Sequence, residues 1–444
     1  MRIGNLLLAG ALAFAGQVNA QNWVEDSVTM GPNYANDIYY SLKNGSQKVE
    51  PNGNWHLAFQ TTPQGPYGNV SVFANHVQTA VNIYSLHMSA TTSFTSLTAA
   101  DTVGKTGGAS ALYNTDTSWN FGAFNRMADP GNLLDYSWGT YNMSSHNVEG
   151  DSLYLVTVGN ALGAVAYKLW IQQYKSTPAD SVQWKFRIAK LDGTEDTTIR
   201  IYRKPTYTDR MFAYYNVVNR TVLDREPGRF TWDLLFTRYK EYITGAPGIP
   251  YYNVTGVLSN FDVTVAQVTG VGPDDTTGYM GFNYNRSMKE IGSDWKSFNN
   301  TTFQYTIPDS NYYFVKTLNT NEYYQVQFTG FGGSADGKSV FRKRFLGSIV
   351  NSVSFVNNNV DAFYIAPNPA SADANVMIDG RNIEGDARMV VADITGRIVM
   401  NTAVRLNNGL NAFRLNTASF PAGTYVITLG NASWKTSQKL VVQH

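Results

Sequence analysis

The chain has 444 residues, a formal net charge of +1, 15% charged residues and no cysteine. That near-neutral balance gives no field to steer the chain to nucleic acid or an anionic membrane. The missing cysteine excludes disulfides, thiolate metal sites, a Cys nucleophile and a lipoprotein anchor, so burial alone must hold a chain long enough for two or three domains.

Met1-Arg2, the apolar run Leu6 to Ala15 and the small residue closing Val18-Asn19-Ala20 predict a secretory signal peptide over residues 1–20, cut before Gln21. The run is shorter than the roughly 20 apolar residues that span a bilayer. No later stretch is apolar enough to span. The chain is therefore expected to be secreted, with no membrane-spanning segment.

Beyond the signal the pattern is extended. Asp37-Ile38-Tyr39-Tyr40-Ser41-Leu42 reads as a strand, and Asn44-Gly45 as a turn. In Trp55-His56-Leu57-Ala58-Phe59 a period of two puts Trp55, Leu57 and Phe59 on one face and His56 toward solvent. Gly65-Pro66-Tyr67-Gly68 breaks this strand, and Val70 to Asn75 resumes it. Residues 85–150 are rich in Ser, Thr, Asn and Gly and read as long loops. Ser152–Thr157 with Tyr167–Ile171 predicts a hairpin, and Val182–Ile188 a third strand.

The second half repeats these landmarks in order. Tyr214-Tyr215-Asn216-Val217 echoes Tyr39-Tyr40-Ser41-Leu42, and Trp232-Asp233-Leu234-Leu235-Phe236 echoes Trp55 to Phe59. The gap from Val217 to Trp232 is 15 residues, against 13 from Leu42 to Trp55. Trp295 answers Trp138, Tyr313-Phe314-Val315 answers Tyr154-Leu155-Val156, and Tyr324–Phe328 answers Tyr167–Ile171. The expected division is one module over 21–203 and a second over 204–347. A linker at 348–362 and an 80-residue tail over 363–444 follow. Turn signals every 8–12 residues in the tail predict a small β-sandwich.

In the tail, Pro367-Asn368-Pro369, Asp393-Ile394-Thr395-Gly396-Arg397, Asn408-Gly409, Ala422-Gly423-Thr424-Tyr425 and Lys439-Leu440-Val441-Val442 resemble the C-terminal sorting domain of the type IX secretion system of Bacteroidota. That resemblance implies contact with the secretion machinery through 363–444, export across the outer membrane and a place at the cell surface. The two central modules resemble the HmuY family of haem-binding proteins. The carrying residues are Trp232 to Tyr239, Tyr252-Asn253-Val254-Thr255-Gly256-Val257, Tyr312 to Thr317 and Phe328-Thr329-Gly330-Phe331, with a weaker match at Trp55 to Phe59 and Asp151 to Thr157. The fold class expected is mainly β: two tandem HmuY-like modules and a small C-terminal β-sandwich.

The HmuY resemblance implies haem as ligand, held between axial side chains presented by loops. Haem iron takes His, Met, Cys or Tyr. His76, His87 and His146 lie in or just before the first module's loops, and Met280 and Met288 in the second's. His76 and His146 are the first choice of ligands, with Met280 and Met288 in the second module and Met127 and Met143 as substitutes. Gly332-Gly333-Ser334-Ala335-Asp336-Gly337-Lys338-Ser339 fits the phosphate-loop pattern, but the alternation after it predicts strand–turn–strand rather than the helix such a loop requires. No H-E-x-x-H or G-x-S-x-G occurs, so a non-enzymatic reading is preferred. Two functions are expected: haem capture for iron acquisition, or surface adhesion through a glycan or protein ligand. Tyr251-Tyr252 could stack on a sugar or a porphyrin.

Overall fold

The computed structural model describes residues 22–61, 70–160, 163–176, 182–243, 251–348, 359–394, 397–431 and 433–443. The expected signal peptide, the break at 65–68, most of the linker and residues 395–396 of the sorting-domain motif lie outside them. The described residues fall into two compact units, the first ending at Ser348.

Strands dominate, as the alternation predicts. The first unit opens with β1 (Val24–Thr29), β2 (Asn36–Ser41) and β3 (Gly45–Pro51). Next come β4 (Leu57–Gln60), β5 (Val72–Ala74) and β6 (Asn82–Ser89). The region read as loops holds β7 (Gly139–Asn142) and β8 (Asn147–Gly150), besides the end of β6 and short turns. Then follow β9 (Ser152–Asn160), β10 (Gly163–Lys175), β11 (Gln183–Lys190), β12 (Thr197–Tyr202), β13 (Phe212–Asn216) and β14 (Thr221–Leu223). The remainder is β15 (Leu234–Tyr242), β16 (Tyr251–Ser259), β17 (Val263–Thr269), β18 (Ser297–Asn299), β19 (Gln304–Thr306), β20 (Asn311–Thr317), β21 (Glu322–Phe331) and β22 (Lys338–Ser348).

Strand pairing does not follow the expected division at 203/204. One four-stranded sheet runs β16-β15-β2-β3, and another runs β14-β13-β4-β5. Strand β2, from the first repeat, lies beside β15 of the second. Strand β13, from the second repeat, lies beside β4 of the first. The outer sheets match: β22 pairs with β1, and β11 with β12. Residues 57–223 therefore make one sandwich around Phe59, Trp138, Trp184, Phe186 and Tyr215. A second, around Tyr40, Leu234, Phe236, Trp295 and Phe328, is built from 24–51 and 234–348.

Two pairs of equivalent side chains secure this exchange. The Asp233 carboxylate accepts the Leu42 N–H at 2.7 Å. His56 Nδ1 accepts the Val217 N–H at 3.0 Å. Leu42 and Val217 end equivalent strands, so each side chain receives the donor left over where the borrowed strand stops. His56 is thus buried rather than solvent-facing, because this backbone donor needs a buried acceptor.

Trp55 and Trp232 leave the face expected for them. Leu57 and Phe59 point into one sandwich core and Leu234 and Phe236 into the other, but both indoles turn into the layer between the sandwiches. There Trp232 meets Tyr39 edge-on at 5.1 Å, and Trp55 meets Tyr214 edge-on at 5.0 Å. The phosphate-loop-like stretch is a short turn at Gly333–Ala335 between β21 and β22, as its context predicts.

In the second unit, β23 (Val360–Ala366), β24 (Asp373–Gly380), β25 (Gly385–Asp393), β26 (Ile398–Leu406), β27 (Gly409–Asn416), β28 (Gly423–Gly430) and β29 (Lys435–Val442) form sheets ordered β23-β24-β27 and β26-β25-β28-β29. They close over Val376, Ile378, Val391, Ile427, Leu429 and Leu440.

This topology has two testable consequences. Residues 55–223, expressed alone, contain every strand of their sandwich and are expected to melt cooperatively, whereas residues 204–348 lack β1–β3 and are not. Thermal melts followed by circular dichroism test both. The Arg225–Asp37 ion pair, 2.9 Å long with both side chains under 5% exposed, ties the sandwiches together. Arg225→Ala strands a buried carboxylate and is expected to cost about 3–5 kcal/mol in denaturant unfolding.

Candidate functional site

The four expected site residues occupy different environments. His76 follows β5 and is buried. Its Nδ1 lies 2.7 Å from the Val81 carbonyl, and its Nε2 accepts the Asn114 N–H at 3.2 Å. Those partners require the neutral tautomer protonated on Nδ1. Both ring nitrogens are engaged, so coordination by either first breaks a hydrogen bond. Burial pushes the imidazole down to about 4.

Met288 is also buried, between the sandwiches, and it lines the same cavity as His76. That cavity measures about 80 Å³. Ligand pockets generally need roughly 300–1,000 Å³, so a porphyrin does not fit there. His146 sits at the β7–β8 turn with φ 57°, and its Nδ1 shares a hydrogen bond with the Tyr141 hydroxyl at 2.9 Å. Met280 is exposed in the short turn Tyr279–Gly281. His76 and Met288 are brought together; His146 and Met280 do not join them in that cavity.

A larger opening lies beside β6. Between Ser85 and Ser89 this strand carries four steps against two on β9, from Tyr154 to Ser152. The extra residues bulge out, and His87 takes φ 50° there, a conformation uncommon for a non-glycine residue. The cleft, about 380 Å³, is lined by His87, Met88, Met127, Ser137, Asp151 and Tyr154. The Ser85 hydroxyl accepts the His87 N–H at 3.3 Å, while the His87 ring makes no hydrogen bond among the described residues. Met127 comes from the long β6–β7 connection and is 46% exposed. Its N–H donates to the Ser137 hydroxyl at 3.3 Å. Asp151 is tied down by Ser89 and Thr91, whose hydroxyls donate to it at 2.6 and 3.3 Å. The cleft thus brings a free imidazole and a thioether to one opening. His87 is legible in the sequence as one loop histidine among three, but nothing there marks the bulge.

The buried histidines make stability pH-dependent. The folded-state values of His56 and His76 lie near 4, below the ordinary 6.5, with burial the leading cause in each. As pH falls from about 6.5 to about 4 the unfolded chain takes up protons that the folded chain refuses, so their contribution to stability is lost across that window. Denaturant unfolding of the parent and His76→Asn at pH 7, 5.5 and 4.5 is expected to show the parent losing stability faster. Parallel slopes would contradict the assignment.

A family model described as "HmuY protein" matches residues 33–342, and one described as "Secretion system C-terminal sorting domain" matches residues 364–443. No curated protein matches the chain. Among solved structures, dimeric latent PorU from Porphyromonas gingivalis aligns at 9% identity over 88% of this chain and 34% of that one, with a TM-score of 0.17. The chain therefore spans about a third of PorU. A structure on the basis of Dscam isoform specificity aligns at 7% identity over 95% of this chain and all of the other, with a TM-score of 0.14. The sorting domain addresses the protein across the outer membrane to the cell surface or beyond, and the match over well over half its length makes the chain a member of the HmuY family.

Proposed function

We propose that this protein captures haem at the cell surface for iron acquisition, and that the β6 cleft is where it does so. Family membership supports haem as the ligand class. The observation that carries the site is His87: an exposed imidazole without a ring partner among the described residues, held in a left-handed conformation on a bulge at the edge of a cleft that Met127 also lines. Strain of this kind persists where the surroundings hold it, and it clusters at ligand-binding positions.

The donor set fits the group. Imidazole and thioether are both established axial ligands of haem iron. His87 would supply the first and Met127 the second, with Met88 offering apolar contact to the ring edge. Of the four residues expected from sequence, His76 and Met288 are buried beside the 80 Å³ cavity, and His76 has both ring nitrogens engaged. His146 has an exposed ring but shares its Nδ1 with Tyr141.

Titration of the chain lacking residues 1–20 with haemin tests this. A saturable Soret shift with low-spin bands is expected. His87→Ala should weaken binding at least tenfold, and Met127→Ala should lose the low-spin signature while still binding. His146→Ala should change neither. Absence of a saturable shift, or a His87→Ala titration identical to the parent, would overturn the proposal.

A further inference from the structure

A second opening, unconnected with the haem reading, lies where the two sandwiches meet. It measures about 310 Å³ and is lined by Asn114, Thr115, Asp116, Arg126, Tyr242 and Tyr251. Asn114 and Thr115 also line the 80 Å³ cavity, so the two openings adjoin and share a wall.

Its wall is aromatic. Tyr242 and Tyr251 face each other across the β15–β16 ladder, with ring centres 5.2 Å apart and planes at 65°. The angle makes a corner, not a flat stack. Tyr113 backs Tyr251 at 4.5 Å, and the Lys240 ammonium lies 5.3 Å from the Tyr113 ring centre. Tyr242 is 44% exposed. The Tyr242 and Tyr251 phenols make no hydrogen bond among the described residues.

The polar groups divide into used and free. Asn114 is spent: its side-chain oxygen accepts from the Ala74 and Ala123 N–H groups, and its amide donates to the Ala74 carbonyl. Asp116 Oδ2 accepts from the Tyr242 N–H and from Lys289, while its Oδ1 has no partner among the described residues. Arg126 is exposed, and its guanidinium makes no ion pair or hydrogen bond among them. In the inner cavity, Trp55 Nε1 and Arg238 Nε are buried donors without a partner. Buried donors are nearly always satisfied, so two at one cavity mark a place for acceptor atoms.

We propose that this groove binds an acidic saccharide. Electron-rich Tyr faces favour the C–H face of a sugar ring, and a corner of two rings holds one ring more firmly than a single platform. Arg126 takes the carboxylate in its fork, and Asp116 Oδ1 accepts a ring hydroxyl. The inner donors receive acetamido or hydroxyl oxygens. Cations outnumber anions in the lining: Arg126, Lys240, Arg238 and Arg225 against Asp37 and Asp116. That excess favours an acidic sugar over a neutral one.

Calorimetry on the full chain lacking residues 1–20 tests the proposal. The probes are a tetrasaccharide of alternating glucuronate and N-acetylglucosamine, sialyllactose, and lactose as the neutral control. At least one acidic probe is expected to bind saturably, at least tenfold more tightly than lactose. Arg126→Ala and Tyr251→Ala should each weaken it at least tenfold. Because Arg126 is exposed, its removal leaves the fold intact, and the result does not hang on Tyr251 alone. Failure of both acidic probes, lactose bound equally well, or binding that survives Arg126→Ala would overturn the proposal.

Discussion

The hydroxyls of Tyr39 and Tyr214 meet at 3.3 Å in the layer between the two sandwiches. Each tyrosine is on a strand borrowed from the other repeat, and each ring is met edge-on by the tryptophan that precedes its neighbouring strand. The contact exists only if both exchanges have been made. Burial drives both phenols well above their ordinary range, so they stay protonated and act as donors as well as acceptors. Tyr214 lies 3.2 Å from Glu226, whose carboxyl burial pushes up to about 8, and Arg225 reaches Tyr39 at 3.5 Å. Polar groups this deep are tolerable only in a completed network. The groove assigned to a saccharide begins at the rim of this layer, so its shape depends on the same pairings.

Much of this architecture was legible. Period-two alternation marks β4, β11, β15 and β21, and the two segments of the echo, Asp37–Leu42 and Tyr214–Val217, fall on β2 and β13, which lie beside β15 and β4. What the echo cannot convey is which copy each strand joins. Sequence neighbours pair in about two-thirds of cases, and that expectation favours a cut at 203/204. The evidence against the cut was present in disguise: His56 and Asp233 are chemically unlike but both are acceptors. An acceptor facing a strand end is a pairing signal, yet its donor, at Val217 or Leu42, is far away in sequence. The tryptophans mislead for a related reason. A period-two rule assigns faces only within a strand, and both Trp55 and Trp232 stand just before one.

The candidate site was less legible because ligand capacity depends on hydrogen bonds that sequence does not record. His76 and His87 look alike as loop histidines. One has its ring filled by the Val81 carbonyl and the Asn114 amide, and the other projects from a bulge. A bulge is a register mismatch between two strands, here β6 and β9, and the string of residues Ser85 to Ser89 contains no glycine to announce it. Met127 and Met288 differ in the same way. The second is buried between the sandwiches beside a cavity too small for a porphyrin, and the first reaches the larger cleft.

The exchange also dictates an order of assembly. Residues 57–223 are contiguous and can close their sandwich without waiting for the rest of the chain. Strand β1 cannot be placed until β22 exists, because Val24 pairs with Lys343 and Thr29 with Lys338. Strand β2 likewise needs β15, where Tyr40 pairs with Leu234. Loop closure over such separations makes late, non-local pairing slow. Until it happens, β15 and β22 each present an open edge, the kind of surface that invites pairing with another chain. Closing the first sandwich early limits this exposure. Its layer of Ala58, Phe73, Phe212 and Tyr214 then offers a surface on which β2 can settle. A chain without disulfides has no covalent means of holding β1 and β2 near their partners, so this surface and the Arg225–Asp37 pair must do it. The tyrosine contact between the two sandwiches is the last part of the first unit to form and the part on which the junction between the sandwiches depends.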